Sequence, residues 1–458
     1  MYLVPHNVPS SLSVRSNPRE KREDLLENAL CSMIEKHPRG ETQTRMKNVL
    51  QVIRRFLLWS IATLLTTQGL VVGVLLAIDA WRKHYRAQGR GRRSQLSAVH
   101  IGDAEVQLYT YGEDVFAAML LAIKEAQQRI VFETFIWKDD AVGQLFKQEL
   151  LAAAQRGVDV FVIFDSFANL VVPRAFKQFP PPLHVLEYPF FPWPPRHPFH
   201  MSSYARDHRK LLVVDGHTAF IGGYNIGKSY AIEWRDTHLR LQGSDAWELE
   251  NVFIDFWNEY HPQHLPSLPD RGTRNWDPHI AIHRNDPQLM IFPIRTMYLE
   301  AIDRAQHSIS LTHAYFIPDR ILFRSLLAAA KRGVDVQLLL PATSNHVPAD
   351  WLARGYYEQC LRSGIRLLLY QRAMVHAKTA TIDGIWSSIG TANMDRLSLV
   401  GNFEVNVEVY DSTLARQMED IFKEDATHCH EVTLEKWRCR SSLEKFAEAI
   451  LLPLRPLL

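Results

Sequence analysis

Asp207-His208-Arg209-Lys210-Leu211-Leu212-Val213-Val214-Asp215 is a stretch this 458-residue chain carries twice. The second copy is His376-Ala377-Lys378-Thr379-Ala380-Thr381-Ile382-Asp383, and both read H-x-K-x-x-x-x-D. An Asn follows each His by 17 residues (Asn225, Asn393), and an acid follows each by 28 (Asp236, Glu404). Four offsets held in register across two halves of a chain mark an internal duplication.

The duplication extends upstream. Ala122-Ile123-x-x-Ala126-Gln127-x-x-Ile130 matches Ala301-Ile302-x-x-Ala305-Gln306-x-x-Ile309. Leu150-Leu151-Ala152-Ala153-Ala154-x-Arg156-Gly157-Val158 matches Leu326-Leu327-Ala328-Ala329-Ala330-x-Arg332-Gly333-Val334. Helical patterning at 114–128 and 141–156 alternates with apolar strands at 130–137 and 158–164. That alternation predicts an α/β fold of two similar units, each a mixed, mostly parallel sheet with helices on both faces. The first unit is expected over 100–260 and the second over 284–411. A Pro-, Asp- and Arg-rich linker joins them between about 261 and 283.

The residue types suit phosphoryl transfer. In a strand, residues two apart share a face, so His208 and Lys210 point together, as do His376 and Lys378. Imidazole is a nucleophile that also returns a proton near neutral pH. The neighbouring ammonium offsets charge on the non-bridging oxygens of a phosphodiester. Asp215 and Asp383 complete the motifs, but an odd spacing of seven turns them away, which gives them a structural role. Asn225 and Asn393 follow Gly-containing turns from which an amide can reach toward a phosphate. Asp236 and Glu404 are the natural partners to orient the imidazoles. Two His-Lys pairs facing one phosphorus would divide the work: one imidazole attacks while the other protonates the departing alcohol and then activates the incoming one. The lysines supply the charge, so neither a metal nor another cofactor is called for.

The paired motifs resemble those of the phospholipase D superfamily. The phrases around them, Arg206-Asp207-His208-Arg209-Lys210, Ile221-Gly222-Gly223-Tyr224-Asn225-Ile226, Trp234-Arg235-Asp236-Thr237-His238, Ala314-Tyr315-Phe316-Ile317-Pro318-Asp319 and Asn402-Phe403-Glu404-Val405-Asn406, are similar to bacterial cardiolipin synthases. The likeness runs from about residue 107 to the C-terminus. It implies a covalent phosphatidyl-histidine route, with His208 as nucleophile and His376 as acid/base, although the symmetry leaves the order open. It also implies transfer of a phosphatidyl group from phosphatidylglycerol, or phosphatidylethanolamine, to the glycerol headgroup of phosphatidylglycerol. Hydrolysis to phosphatidic acid is the first rival reading and a nuclease the second. The chain departs from its own symmetry at Gly223, where the second copy has Thr391, so the two half-sites are not expected to be equivalent.

Composition is that of a globular protein. A hydrophobic share of 47% with 22% charged residues supports real cores, and a net charge of +2 advertises no broad basic groove for nucleic acid. The four cysteines show no paired spacing, which argues against a disulfide framework. Residues 1–55 read as a weakly ordered polar segment, with a short helix near 24–35 and no cleavable signal peptide. Residues 56–78 carry no formal charge, between Arg54-Arg55 and Arg82-Lys83, with Trp59 and Trp81 near the ends. That length fits a transmembrane helix. Arg82, Lys83, Arg86, Arg90, Arg92 and Arg93 after it favour a cytoplasmic C-terminal side at a bacterial cell membrane. The Pro- and aromatic-rich run 179–195 reads either as an apolar flap that touches lipid or as a loop packed on the protein's own surface. The tail, 412–458, is helical and ends in an apolar run suited either to the membrane interface or to packing on the catalytic unit.

Overall fold

The computed structural model describes residues 39–85, 93, 96–190, 204–269 and 277–457. The short helix expected near 24–35 and most of the aromatic flap, from Phe191 onward, lie outside the described residues.

The first described element is a 47-residue helix, Arg39–Tyr85. It starts well before the polar segment was expected to end at residue 55, because no proline or glycine interrupts residues 41–68. Its part Met46–Trp81 is long and apolar enough to cross a membrane. The hydroxyls of Thr63, Thr66 and Thr67 each donate to the carbonyl four residues back at 2.8 Å, so these polar residues present no unpaired groups. Among the described residues, the helix up to Gly69 belongs to one unit and the chain from Leu70 onward to the other. Within the second unit, Leu75 is buried with Val71 and Val72 beside it, and the carboxylate of buried Asp79 accepts the Val347 N–H at 3.4 Å.

The first half supplies β1 (Val99–Ile101), β2 (Ala104–Tyr109), β3 (Arg129–Thr134), β4 (Asp159–Asp165) and β5 (His184–Tyr188). It continues with β6 (Leu211–Val214), β7 (Thr218–Gly222), β8 (Trp234–Arg235) and β9 (His238–Gln242). The second half supplies β10 (Ile280–Asn285), β11 (Ser308–His313), β12 (Phe316–Ile317), β13 (Asp335–Pro341) and β14 (Arg366–Tyr370). After these come β15 (Met374–Val375), β16 (Lys378–Ile382), β17 (Trp386–Gly390), β18 (Met394–Asp395), β19 (Glu404–Tyr410) and β20 (Cys429–Val432).

Two eight-stranded sheets result, ordered β1-β2-β9-β7-β6-β3-β4-β5 and β10-β19-β17-β16-β11-β13-β14-β20. In sheet order β2, β9, β7, β6, β3, β4 and β5 map onto β10, β19, β17, β16, β11, β13 and β14, with β1 and β20 as unmatched edges. The second sheet thus continues past Asp411. The expectation of mostly parallel sheets needs correcting. Only β3-β4-β5 and β11-β13-β14 run parallel, and every other neighbour in either sheet is antiparallel. Helical crossovers feed the parallel strands, whereas β6–β7 and β16–β17 are joined by tight hairpins. Each hairpin turns on an Asp-Gly pair, Asp215-Gly216 and Asp383-Gly384, with φ of 53° and 64° in both. Positive φ at both central residues is what the tight turns closed by the His217 N–H on the Val214 carbonyl and the Ile385 N–H on the Ile382 carbonyl require.

Helices lie on both faces. Gly112–Glu125 and Ala141–Gln155 cover one face of the first sheet through Phe116 and Phe146, and Pro293–Arg304 and Arg320–Lys331 cover the same face of the second. The remaining faces meet in one shared core. Leu239 and Leu241 join Val405 and Val407 there, with helices Ala246–Tyr260 and Ser412–Ala426 packed in. Trp437 and Leu451 of the tail are buried in the second half's core, while Leu443, Phe446 and Leu452 are exposed.

Candidate active site

The two motifs meet because the halves exchange short strands. Asp207, just before the first motif, bridges Phe403 in parallel, and the His208 N–H donates to the Phe403 carbonyl at 3.1 Å. Reciprocally, β15 pairs with β8, and the His376 N–H donates to the Arg235 carbonyl at 2.7 Å. Residues 235 and 403 are related by the same 168-residue step as 208 and 376, so the crossing has internal two-fold symmetry.

The carboxylates are exchanged as well. His208 Nδ1 lies 2.9 and 3.0 Å from the Glu404 oxygens, and His376 Nδ1 lies 2.7 Å from Asp236 Oδ2. Each imidazole is thus held by the acid of the other half. With Nδ1–H donating to the carboxylate, the lone pair at Nε2 is left for chemistry. An aromatic edge fixes each ring further: Phe135 sits 4.7 Å from His208 and Trp234 sits 4.9 Å from His376.

Lys210 and Lys378 are buried, and each ammonium donates to the carbonyl of its own motif's histidine. Burial, aided by the two lysines, holds His208 well below its usual range. Burial, both lysines and His208 itself do the same to His376, so the imidazoles feel one another. Burial pushes Lys210 down to about 7 and Lys378 to about 8, against the pull of Glu404 and Asp236. It lifts Asp236 to about 6 and Glu404 to about 8. The cluster therefore rests with neutral imidazoles and with lysines whose charge responds to what binds.

The remaining expected residues divide. Thr391 donates its hydroxyl to Glu404 at 2.5 Å and accepts from the Val405 N–H at 3.0 Å. Its counterpart is Gly223, where a Cβ would come within 2.1 Å of the Asp236 carboxylate, so the first copy has no room for a side chain. Asn225 is buried and accepts the Ile136 N–H at 3.1 Å. Asn393 donates to Ser398 at 3.5 Å, and its buried Oδ1 has no partner. Asp215 and Asp383 lie away from the histidines. Asp215 accepts the N–H groups of Gln127, Gln128 and Arg129 at 2.8–2.9 Å, and Asp383 those of Gln306, His307 and Ser308 at 2.8 Å. They fasten the hairpins to the starts of β3 and β11.

Some neighbours gave no signal in the sequence. Arg209 is buried against Glu133 at 2.6 Å and Asp207 at 3.0 Å, an ionic cluster without counterpart around Ala377. Arg235 pairs with Asp425 at 2.7 Å, tying the first half to the tail helix. Asp395 is buried, caps the helix Arg396–Val400 through the Ser398 N–H at 2.7 Å, and is raised by burial to about 7. Among the described residues, no group of acids, histidines and cysteines is arranged to hold a metal ion.

Comparison with known proteins agrees with this geometry. The family described as "Cardiolipin synthase, PLD-like domain" matches residues 119–257 and 298–426. The chain is 32% identical over 376 residues to the major cardiolipin synthase ClsA of Bacillus subtilis, covering 79% of this chain and 77% of that one. It is 31% identical over 372 residues to a cardiolipin synthase of Clostridium perfringens, covering 77% of each. The fold is similar to that of the phosphatidylserine synthase of Haemophilus influenzae, with a TM-score of 0.58 and 13% identity over 83% of this chain and 97% of that one. The chain belongs to the cardiolipin synthase family of phospholipase D-like proteins.

Proposed function

We propose that this chain makes cardiolipin by transferring a phosphatidyl group from one phosphatidylglycerol to the headgroup of another. The reading rests on one observation: two buried, neutral imidazoles, each hydrogen-bonded through Nδ1 to the carboxylate of the opposite half. One supplies the nucleophile for the phosphorus atom, and the other becomes the acid once the anionic substrate binds and it takes up a proton.

His208 Nε2 attacks phosphorus, and the P–O bond to the departing glycerol breaks. Binding of the anionic phosphodiester beside it lets His376 take up a proton at Nε2, the imidazolium being stabilised by Asp236, and the alkoxide takes that proton. His376 then removes the proton from the hydroxyl of the incoming headgroup, and that oxygen displaces His208 from phosphorus. Lys210 and Lys378 hold the non-bridging oxygens throughout. Substrate raises their pKa values by placing an anion beside them.

The long apolar helix fits a lipid substrate, since a spanning segment keeps the enzyme at the bilayer. The basic residues that follow it favour a cytoplasmic active site. Purified protein in phosphatidylglycerol vesicles tests the reading directly. Cardiolipin and free glycerol in equal amounts are expected; phosphatidic acid as the sole product would overturn transfer in favour of hydrolysis.

A further inference from the structure

Two buried histidines outside the motifs, His238 and His313, stand beside the catalytic lysines. His313 ends β11 and is the register partner of Lys378 on β16. Opposed residues of antiparallel strands share a face, with Cβ atoms about 5 Å apart, so this ring and the lysine stem lie together. His238 opens β9 opposite Gly222, and the β6–β7 register puts Lys210 on the other side of that glycine. A Cβ on Gly222 would come within 2.7 Å of His238 Nδ1, so the imidazole lies over the bare glycine, in reach of the long Lys210 stem. Burial, and after it the charge of Lys378, pushes His313 down to about 3. Burial does the same to His238, with Asp236 pulling against it and Lys210 adding to it. Both rings are therefore neutral.

Neither ring nitrogen of either histidine has a hydrogen-bond partner among the described residues, although both side chains are fully enclosed. An unmet buried nitrogen is costly, so a ring kept only for packing would be better replaced by an apolar side chain. The duplicated positions show the satisfied alternative. Asn406, the counterpart of His238, donates to Tyr298 and Ser388 and accepts the Ala392 N–H. Thr134, the counterpart of His313, donates to the Ile136 carbonyl at 3.2 Å. Each copy thus sets one neutral imidazole against its own lysine, and the two copies do so from non-equivalent strands. The lysines carry the matching surplus. An ammonium has three N–H groups, and Lys210 and Lys378 each use one, on the carbonyls of His208 and His376.

We infer that His238 and His313 are positioning residues for Lys210 and Lys378. In the working site each imidazole accepts one lysine N–H, the motif carbonyl accepts a second, and the third is left aimed at a non-bridging oxygen of the phosphodiester. A neutral acceptor keeps the buried ammonium protonated without cancelling the charge the phosphate needs, as a carboxylate in its place would. The inference rests on the lysines holding the phosphate, as in the mechanism proposed above, and adds what holds the lysines.

The test follows loss of phosphatidylglycerol from vesicles by the full-length protein, whichever product forms, and records kcat/KM from about pH 5.5 to about pH 9. His313→Leu and His238→Leu remove the acceptor, whereas His313→Gln and His238→Gln keep one. Each Leu variant is expected to move the alkaline limb about one pH unit lower, a deficit that grows with pH to about ten-fold. Each Gln variant is expected to return the limb toward wild type. Asp236, Glu404, Asp395 and Asp207 act on the lysines, Tyr224 and Tyr298 lie against the two rings, and these and the motif imidazoles are unchanged in every variant. The shape of a profile does not depend on how much enzyme is folded, so a loss of yield cannot mimic the shift. His313→Met and His238→Met replace the Leu variants if those do not fold. A loss equal at every pH, or the same shift in the Leu and Gln variants, would overturn the positioning role. Wild-type kcat/KM in Lys210→Met and Lys378→Met would instead overturn the mechanism on which it rests.

Discussion

Around His208 the supporting acid is Glu404, braced by the Thr391 hydroxyl, and the flanking ring is Phe135 from the same half. Around His376 the acid is Asp236, pressed against Gly223, and the flanking ring is Trp234 from the opposite half. The inner frame is common to both: the imidazole, the lysine two residues on, the exchanged carboxylate and the exchanged strand. What differs is the layer outside it. Conserved inner geometry with a divergent outer layer is what two different roles at one phosphorus atom require, because proton transfer and nucleophilic attack share a skeleton but face different neighbours.

The largest effects should come from the frame. His208→Ala is expected to remove turnover by about four orders of magnitude or more, together with any trapped phosphatidyl-enzyme. His376→Ala should lose turnover comparably yet still form the covalent species slowly. Acid-quench trapping with labelled phosphatidylglycerol separates the two, and the opposite pattern would exchange their roles. The acids should follow their spatial partners and not their own halves. Glu404→Gln is expected to behave as a milder His208 lesion and Asp236→Asn as a milder His376 lesion, each about 10²- to 10⁴-fold in kcat. If each acid variant mimicked the histidine of its own half in that trapping assay, the crossed geometry would be wrong.

The outer layer should respond unequally. Gly223→Ala drives a Cβ into the Asp236 carboxylate and should cost about 2 kcal/mol of stability as well as activity. Thr391→Val keeps its shape but loses the bond to Glu404 and leaves the Val405 N–H without its acceptor, and should slow turnover about ten-fold with a smaller melting loss than Gly223→Ala. Similar melting losses for both would remove this distinction.

The pH dependence probes the lysines that both half-sites share. In the free enzyme Lys210 and Lys378 lose their protons near 7 and 8, so kcat/KM should fall as pH rises through that range while kcat, measured with bound anion, falls only at higher pH. The same two lysines contribute to stability with the opposite sign: between their folded values and the ordinary lysine range near 10 the unfolded chain holds protons on them that the folded chain has released, so their contribution favours folding as pH rises. The buried tyrosines and Cys360, raised in the folded chain, oppose it toward about pH 9 and above. Urea midpoints of wild type and Lys378→Met compared between about pH 7 and about pH 9 isolate the lysine contribution, and the wild type should gain relative to the variant as pH rises. The smallest effects belong where the halves are alike. Asp215→Ala and Asp383→Ala should each cost about 1–2 kcal/mol, by equal amounts, through lost backbone hydrogen bonds with kcat nearly intact.

Much of this was legible in the letters, because chemistry and duplication both leave fixed spacings. The H-x-K step placed His and Lys on one face, the odd step to Asp215 turned it away, and the +28 acids marked the imidazole partners. The crossing was not legible: sequence spacing ties Asp236 to His208, and only the three-dimensional exchange at Asp207–Phe403 and Met374–Trp234 sends it to His376. Strand direction was misread because apolar strands between helices look parallel, and the Asp-Gly hairpins that reverse the chain carry only two letters each. Nothing in the motif spacing says that Arg209, between the two motif residues, is buried; its burial depends on Glu133, far upstream in β3.

The exchanged strands also constrain how this gene can change. Each half lacks the carboxylate its own histidine needs, so neither is a catalyst by itself. A lesion in one copy cannot be covered by the other, as duplication usually allows. Substitutions around the site are admissible chiefly as matched sets, Thr391 with Glu404 and Gly223 with Asp236. The two copies are bound to a common inheritance, free to drift only in the layers that do not touch the exchange.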